Sequence, residues 1–416
     1  MRGIRHPWRF LWRGVLQPLL GWVLLGWMKA LVPTQRGRVV VIGLSQQFAD
    51  NSKYFFLRLV EAPPEGVEVR YLADHAGVAT ALESAGLPYV SYPSIRGLWY
   101  LLRCETVVVD ASSWVRPMRY QVLWRARTIQ LWHGCPLKRI ELDDALGGRA
   151  SGLLGLSQRL IGRYPRYDVV LSPSPRFTDI TFRRAFGDCA IIEANYPRNE
   201  VFHRWNDRFS IGTDTTAAEW IHEGKRQGLT TVFYLPTFRG TGGDALSDGA
   251  LDVARLEEFA LEHGYQFLIK RHPVATGRRE PRALSRVRLH DARGDIYPLL
   301  PACDVLVTDY SSVFFDFLHT GRPLVFFAYD LEKYRQQDRA LYFDYEDTVP
   351  GPICRSQAEL ESALLTCGNG SNDSFAGKRA DMLSWAFSPR AGEPSDLIAR
   401  HLSMTADSPG ILVSSR

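Results

Sequence analysis

Four stretches of the chain carry residue types that handle protons and phosphate, and each sits where an apolar run stops. In "TIQLWHGCPLKRI" (128–140) a β-prone run ends at Trp132, and His133 follows, before Gly134, Cys135 and Pro136. A lone histidine beside a Gly/Pro turn has a plain reading as a surface residue. At the carboxyl end of a strand in an open α/β sheet it stands where ligands bind, and an imidazole titrating near neutrality can take a proton there. In "VTDYSSVFFDFLHTGRPLVFF" (307–327) a strand ends at Thr308, Ser311 and Ser312 stand where a helix begins, and Gly321 with Pro323 ends it. Unpaired N–H groups and a partial positive charge at a helix start suit phosphate, and Asp316, about one turn in, could reach a ribose hydroxyl or cap a loop. "LIKRHPV" (268–274) puts Lys270, Arg271 and His272 at another strand end, and "YLPTFRG" (234–240) puts Thr237 and Arg239 at a third. Singly, these are a serine N-cap, a solvated basic turn and a surface arginine. On successive strands of one half, they point to an anionic nucleotide held in that half.

The other common chemistries leave no trace. The ten histidines include no His-Glu-x-x-His, and there is no Asp-x-Asp, so neither a required catalytic metal nor a cofactor is indicated. The six cysteines (Cys104, Cys135, Cys189, Cys303, Cys354, Cys367) are scattered without a Cys-x-x-Cys, which argues against a zinc site or a disulfide framework. A net charge of +5 suits anionic substrates or lipid headgroups and does not call for nucleic acid.

Short β-branched runs alternating with helical stretches must position these residues. The runs at 38–45, 67–73, 106–113, 128–134, 167–174 and 190–197 are apolar almost throughout, as strands covered on both faces are. A second series follows at 230–238, 265–273, 287–292, 305–312 and 323–329, with a polar connection over 203–229. At 416 residues the chain accommodates two such units. We expect an α/β protein of two Rossmann-like domains facing across a cleft. Its expected parts are a basic Trp-rich segment at 1–37, a first Rossmann-like domain at 38–205, a nucleotide-binding second domain at 206–375, and a C-terminal helix and tail at 376–416.

The N-terminal segment is compositionally distinct. No acidic residue precedes Asp50, whereas Arg2, Arg5, Arg9, Arg13, Lys29, Arg36 and Arg38 are basic and four of the eleven tryptophans fall at 8, 12, 22 and 27. The fifteen uncharged residues between Arg13 and Lys29 are short of the roughly 20 a spanning helix needs, and Pro18 interrupts them. Tryptophan with arginine suits a bilayer interface, so we expect a membrane-surface anchor that contacts lipid and not the core. The competing expectation is a helix buried against the body of the protein.

"QLWHGCPLK", "YLPTFR", "KRHP" and "TDYSSVFFDFLHTGRP", in this order over roughly residues 128–330, resemble the CDP-glycerol glycerophosphotransferase family of teichoic-acid and capsule synthesis. The resemblance implies a GT-B fold with the acceptor on the 38–205 domain and the CDP-alcohol donor on the 206–375 domain, metal-independent transfer of glycerol phosphate from CDP-glycerol to a lipid-linked or polymeric glycan acceptor, and association with the cytoplasmic membrane face. Carried over by position, His133 takes the place of the catalytic base and His272, beside Arg271, that of the pyrophosphate-binding catalytic histidine. Ser311 and Ser312 match phosphate-binding serines, while Thr237, Arg239, Asp316 and Lys138 join the substrate-binding candidates. Cys135 stands where the family usually has threonine, which removes a hydroxyl donor near the base. Alternatives are a CDP-ribitol transferase, a GT-B glycosyltransferase using another nucleotide sugar, and a non-catalytic membrane-bound nucleotide-binding recruiter.

Overall fold

The computed structural model describes residues 16–44, 47–115, 118–146, 167–237, 244–270, 284–290, 294–337, 341–368, 373–388 and 394–403. The first series of apolar runs forms a parallel seven-stranded sheet in the order β3-β2-β1-β4-β5-β6-β7. Its strands are β1 (Arg38–Ile42), β2 (Glu68–Ala73), β3 (Tyr89–Ser91), β4 (Thr106–Val109), β5 (Arg127–Gln130), β6 (Val169–Ser172) and β7 (Ala190–Glu193). Val40, Val41 and Val107–Val109 are fully buried, as the unbroken Val/Ile runs require of strands with helices on both faces. The second series forms a parallel six-stranded sheet in the order β10-β9-β8-β11-β12-β13. Here the strands are β8 (Thr230–Leu235), β9 (Tyr265–Lys270), β10 (Val287–His290), β11 (Val305–Thr308), β12 (Leu324–Phe327) and β13 (Ile353–Cys354).

Both sheets are one strand wider than the apolar runs predict. The additions, Tyr89–Ser91 and Ile353–Cys354, lie at sheet edges and have three and two residues. Segments this short have no measurable period, and only their hydrogen bonds to β2 and β12 make them strands.

The order of strands fixes the cleft. β1, β4 and β5 are neighbours in the first sheet, and β9, β8 and β11 in the second. Because every pairing is parallel, each trio ends on one edge. The chain crosses between the halves through the 3₁₀ segment Pro197–Phe202. It returns at the C-terminus, where two helices, Ala376–Ala386 and Pro394–Ser403, follow the second sheet. The Ser388 N–H donates to Pro173 O at 2.7 Å, and Arg58 on the helix Asp50–Glu61 pairs with Asp396 at 2.8 Å. The last helix is therefore packed on the first half, and the two halves are tied at both crossings.

The N-terminal segment satisfies neither sequence expectation alone. Residues 17–31 are helical, with a π turn at Trp22–Gly26 between α-helical Gln17–Gly21 and Trp27–Leu31. One face docks on the first half: Trp22 meets Tyr120 and Trp124 edge-on, and the Trp124 indole donates to Gly26 O at 3.0 Å. Lys29 is buried and donates to Leu102 O at 2.9 Å and Cys104 O at 2.6 Å. Burial pushes its ammonium below the ordinary lysine value. The expectation that this segment touches lipid and not the core is thus corrected for residues 17–31. The opposite face, with Leu16, Leu19, Leu20, Val23, Leu24, Trp27 and Leu31, is exposed. Recurrence every three or four residues is what places these side chains on one stripe. Among the described residues no helix is long and apolar enough to cross a membrane. Residues 1–15, with their four arginines, lie outside the described residues.

Candidate functional site

His133 lies three residues beyond β5, in the turn the sequence predicts. Trp132 before it has a left-handed backbone, φ +57°, and its indole lies 4.2 Å from the imidazole, centre to centre. The ring is fixed through Nδ1, which lies 2.9 Å from the backbone oxygen of Asp110, the residue following β4. A carbonyl only accepts, so Nδ1 carries a proton. The half-buried imidazole is thus set in the tautomer that a base acting through Nε2 needs.

The opposite wall comes within touching distance. A Cβ built on Gly134 would stand 2.7 Å from Ser312 Oγ and 2.9 Å from Arg198 Nη2. With φ at +139° as well, position 134 admits glycine alone without strain. The His133 loop therefore lies directly against the second serine of the pair. Ser312 caps the helix Val313–Phe317, and the Ser311 hydroxyl accepts from the Val313 N–H at 3.5 Å. That helix has five residues before it tightens to 3₁₀ at Leu318–Thr320. Its dipole is correspondingly small, so the serine hydroxyls matter more here than the helix-start argument supposes.

Beneath this contact lies a buried ionic network. Arg198 is 2% exposed. Its Nη1 donates to Asp50 Oδ1 at 2.7 Å and to His133 O at 2.9 Å, and Nη2 donates to Asp316 Oδ2 at 2.6 Å. Tyr297 donates to the same Asp316 oxygen at 2.9 Å and lies under the guanidinium. Burial opposes the Arg198 charge, but Asp316 and Asp50 outweigh it and hold the group firmly protonated. Nearby, Lys53 and Tyr54 donate to Asp295 of the second half at 2.8 and 2.7 Å. Removing one partner of a pair this buried typically costs about 3–5 kcal/mol. Asp110 is buried too. Burial first, then the neighbouring Asp50, push its carboxyl well above the usual range, while Oδ2 accepts from the Ser52 N–H at 3.1 Å.

The remaining predicted residues divide. Thr237 lies beyond β8, and its N–H donates to Asp309 Oδ1 at 2.7 Å, the carboxylate that follows β11. Lys270 ends β9 within electrostatic reach of Asp295 and Asp50. Lys138 places its ammonium 4.8 Å from the Tyr334 ring centre, across the isolated bridge between Lys138 and Leu341. Asp316 requires a correction. It is fully buried under Arg198 and Tyr297, so it braces the site and does not reach a ribose hydroxyl. Cys135 is likewise fully buried, so the place of the missing threonine is in the core between the halves and not on the cleft surface. Arg239, Arg271 and His272 lie outside the described residues. Among the described residues, no group of three or more His, Cys, Asp or Glu side chains is arranged to hold a metal ion.

Sequence reasoning missed Asp50, Asn51, Asp110 and Arg198. A signal was there for two of them: Asp110 in "TVVVDASS" and Arg198 in "AIIEANYPRN" follow strand ends, as His133 does.

A sequence model of the CDP-glycerol:poly(glycerophosphate) glycerophosphotransferase family matches residues 25–402. The chain belongs to that family. Its match to the teichoic acid poly(glycerol phosphate) polymerase of Bacillus subtilis (strain 168) is 28% identical over 81% of this chain, and spans only 45% of that polymerase. The teichoic acid glycerol-phosphate transferase of Staphylococcus aureus is 31% identical over 79% of this chain and 83% of its own length. A solved structure of the wall teichoic acid polymerase TagF, in a variant soaked with CDPG, superposes with a TM-score of 0.71 at 22% identity, covering 94% of this chain and 96% of that one. For this glycerophosphotransferase-family chain, that likeness fixes the two-domain fold.

Proposed function

We infer that the protein transfers glycerol phosphate from CDP-glycerol to a hydroxyl of a lipid-linked or polymeric glycan, releasing CMP. The observation that carries this reading is the seating of His133: Nδ1 is held at Asp110 O, the tautomer a base acting through Nε2 needs, and the adjoining Gly134 abuts Ser312 across the cleft. In this reading Nε2 takes the proton of the acceptor hydroxyl. The oxygen attacks the β-phosphorus in line, and the bond to the CMP oxygen breaks. Ser311 and Ser312 donate to the donor phosphates. In this reading Thr237 and Lys138 are further substrate contacts, and Arg239, Arg271 and His272 supply cations from the strand-end stretches recognised in the sequence. Developing charge on the leaving phosphate is met by such preplaced donors and cations.

The reading is tested by incubating the full-length protein with CDP-glycerol and a lipid-linked saccharide. Mass spectrometry should show acceptor heavier by glycerol phosphate, with CMP released in equal amount. Turnover of CDP-ribitol or a UDP-sugar in place of CDP-glycerol would overturn the donor assignment, and no turnover of any donor would favour a recruiter.

The membrane partner rests on the exposed stripe Leu16–Leu31, which carries no charge, together with the run of basic residues and absence of acidic ones before Asp50. A stripe of this kind inserts into the interface while cations meet anionic headgroups, on the cytoplasmic side where nucleotide-activated donors are supplied. Val23→Asp should weaken flotation with anionic vesicles by roughly tenfold, the worth of one buried aliphatic side chain. Unchanged flotation would rule out this stripe as the contact.

A further inference from the structure

The family's reaction needs a base and a donor phosphate held at a fixed separation, yet the groups that supply them belong to different halves of the molecule. Among the described side chains that cross between the halves beneath the cleft, Arg198 touches the backbone of His133 itself. We propose that Arg198 is a positioning residue, whose guanidinium locks the His133 loop to the serine-bearing helix of the second half and so sets the reacting distance. The proposal rests on His133 being the base.

Each acceptor of this guanidinium lies on a different element. Asp50 opens the helix Asp50–Glu61, His133 O belongs to the turn after β5, and Asp316 is in the helix that starts after Ser312. The Arg198 backbone N–H donates to Asn51 Oδ1 at 3.2 Å, and Asn51 Nδ2 donates to Trp132 O at 2.8 Å. Consecutive carbonyls of the turn, those of Trp132 and His133, are thus held by a single cluster. With Nδ1 anchored at Asp110 O, the imidazole is pinned through both its ring and its own peptide.

The backbone shows why such a clamp is needed. Asp50 and Trp132 both hold left-handed conformations, φ +64° and +57°, which non-glycine residues keep only when the surroundings over-determine them. Both are bound into this cluster, Asp50 directly and Trp132 through Asn51. Gly134 then fits beneath the guanidinium, where a Cβ would lie 2.9 Å from Nη2. A planar fork meets three acceptors in fixed directions, whereas a lysine ammonium is a point charge on a flexible stem. Arg198→Lys therefore keeps the charge and loses the geometry.

The test compares three full-length variants, Arg198→Lys, Asp316→Asn and His133→Ala, with rates normalised to the number of CMP-binding sites measured by calorimetry. Arg198→Lys should lower kcat about 10–100-fold, the usual consequence of displacing a reacting group by about an ångström. KM for CDP-glycerol and CMP affinity should stay within about threefold, because the groups that hold the donor are untouched. Asp316→Asn retains an acceptor for Arg198 and Tyr297, and should lower kcat about tenfold with the same split. The double variant should be no worse than Arg198→Lys alone, since both changes release one clamp. A purely structural role would reduce the number of CMP-binding sites and leave kcat per site unchanged, which would overturn the proposal. A tenfold rise in KM with kcat preserved would overturn it too, by making Arg198 a donor contact. Should Arg198→Lys not fold, kcat per site of Asp316→Asn decides alone: a value within twofold of the parent sinks the idea. An inactive His133→Ala beside two fully active clamp variants would reject the clamp and keep the base. An active His133→Ala would reject both.

Discussion

Asp110 in the first half and Asp309 in the second occupy matching places, each immediately after a central strand and each fully buried. Both accept a backbone N–H from the segment that follows an adjacent strand, Ser52 in the helix after β1 at 3.1 Å and Thr237 after β8 at 2.7 Å. The walls they brace differ in how the backbone is held. In the first half Asp50, Met118, Trp132 and Glu141 all carry positive φ, whereas among the described residues of the second half only glycines do. Two of those four, Asp50 and Trp132, are tied into the Arg198 cluster that also holds the His133 carbonyl. A proton acceptor works only at one position and direction, so strain is tolerated where it secures them. Phosphate is recognised by several hydroxyls and cations at once, and no single one must be held so tightly. The wall that carries His133 thus holds non-glycine residues in left-handed conformations, and the described residues of the wall that carries Ser312 do not.

The sharpest way to break this contrast is at the base. His133→Ala should reduce kcat by roughly 10²–10⁴-fold while CDP-glycerol binding barely changes, as steady-state kinetics beside calorimetry with CMP would record. Equal losses in rate and binding would mean that the two walls are not divided by role. Gly134→Ala comes next. Its φ of +139° and the 2.7 Å approach to Ser312 Oγ mean a methyl both strains the turn and parts the walls. A penalty of about 1–3 kcal/mol predicts a rate lower by about tenfold or more, and activity near the parent would show the walls to be less closely apposed. On the donor wall, Ser312→Ala should raise KM for CDP-glycerol by up to about tenfold, the worth of roughly one hydrogen bond, with kcat nearly unchanged. A fall in kcat of the size seen for His133→Ala would place Ser312 among the groups that must be exactingly held.

The smallest effect concerns the seam between the halves. His319 accepts from Asn199 Nδ2 at 3.2 Å, and burial, aided by His203, brings its pKa down to about 3. Burial also lowers His290, with Asp214 opposing. Both titrate below the ordinary histidine value near 6.5 that they regain when unfolded, so the unfolded chain takes up more protons below that pH. Their stabilising contribution is whole above about pH 6.5 and is lost progressively as pH falls towards 3. Thermal melts should therefore drop by a few degrees between pH 7.5 and 5.5, and His319→Gln should flatten that slope. An unchanged slope in the variant would remove His319 from the seam's pH response.

His133, Thr237, Lys270, Ser311 and Ser312 were legible because each follows an apolar run, and in a parallel sheet consecutive run ends fall on one edge. Neither the role of Asp316 nor the Arg198 cluster could be found that way. Asp316 stands one turn into a helix on a motif rich in phosphate-binding types, and nothing local reveals that its carboxylate turns inward to an arginine 118 positions away. The N-terminal helix divides in the same manner. Its apolar, basic character is written in its residues, but the half that docks on the body was fixed by Trp22 meeting Tyr120 and Trp124, more than ninety positions on.

By itself, then, the sequence determined the two sheets of buried strands, the sign and type of the groups at their ends, and the family. Those properties are set by neighbours in the chain, through period, turn residues and strand-end chemistry. Tertiary structure alone decided which nitrogen of His133 is held at the Asp110 carbonyl, which carboxylates are ligands of Arg198, and that Gly134 meets Ser312. Each of these depends on a contact between segments far apart in sequence, and a distance of a few tenths of an ångström across such a contact has no counterpart in local pattern.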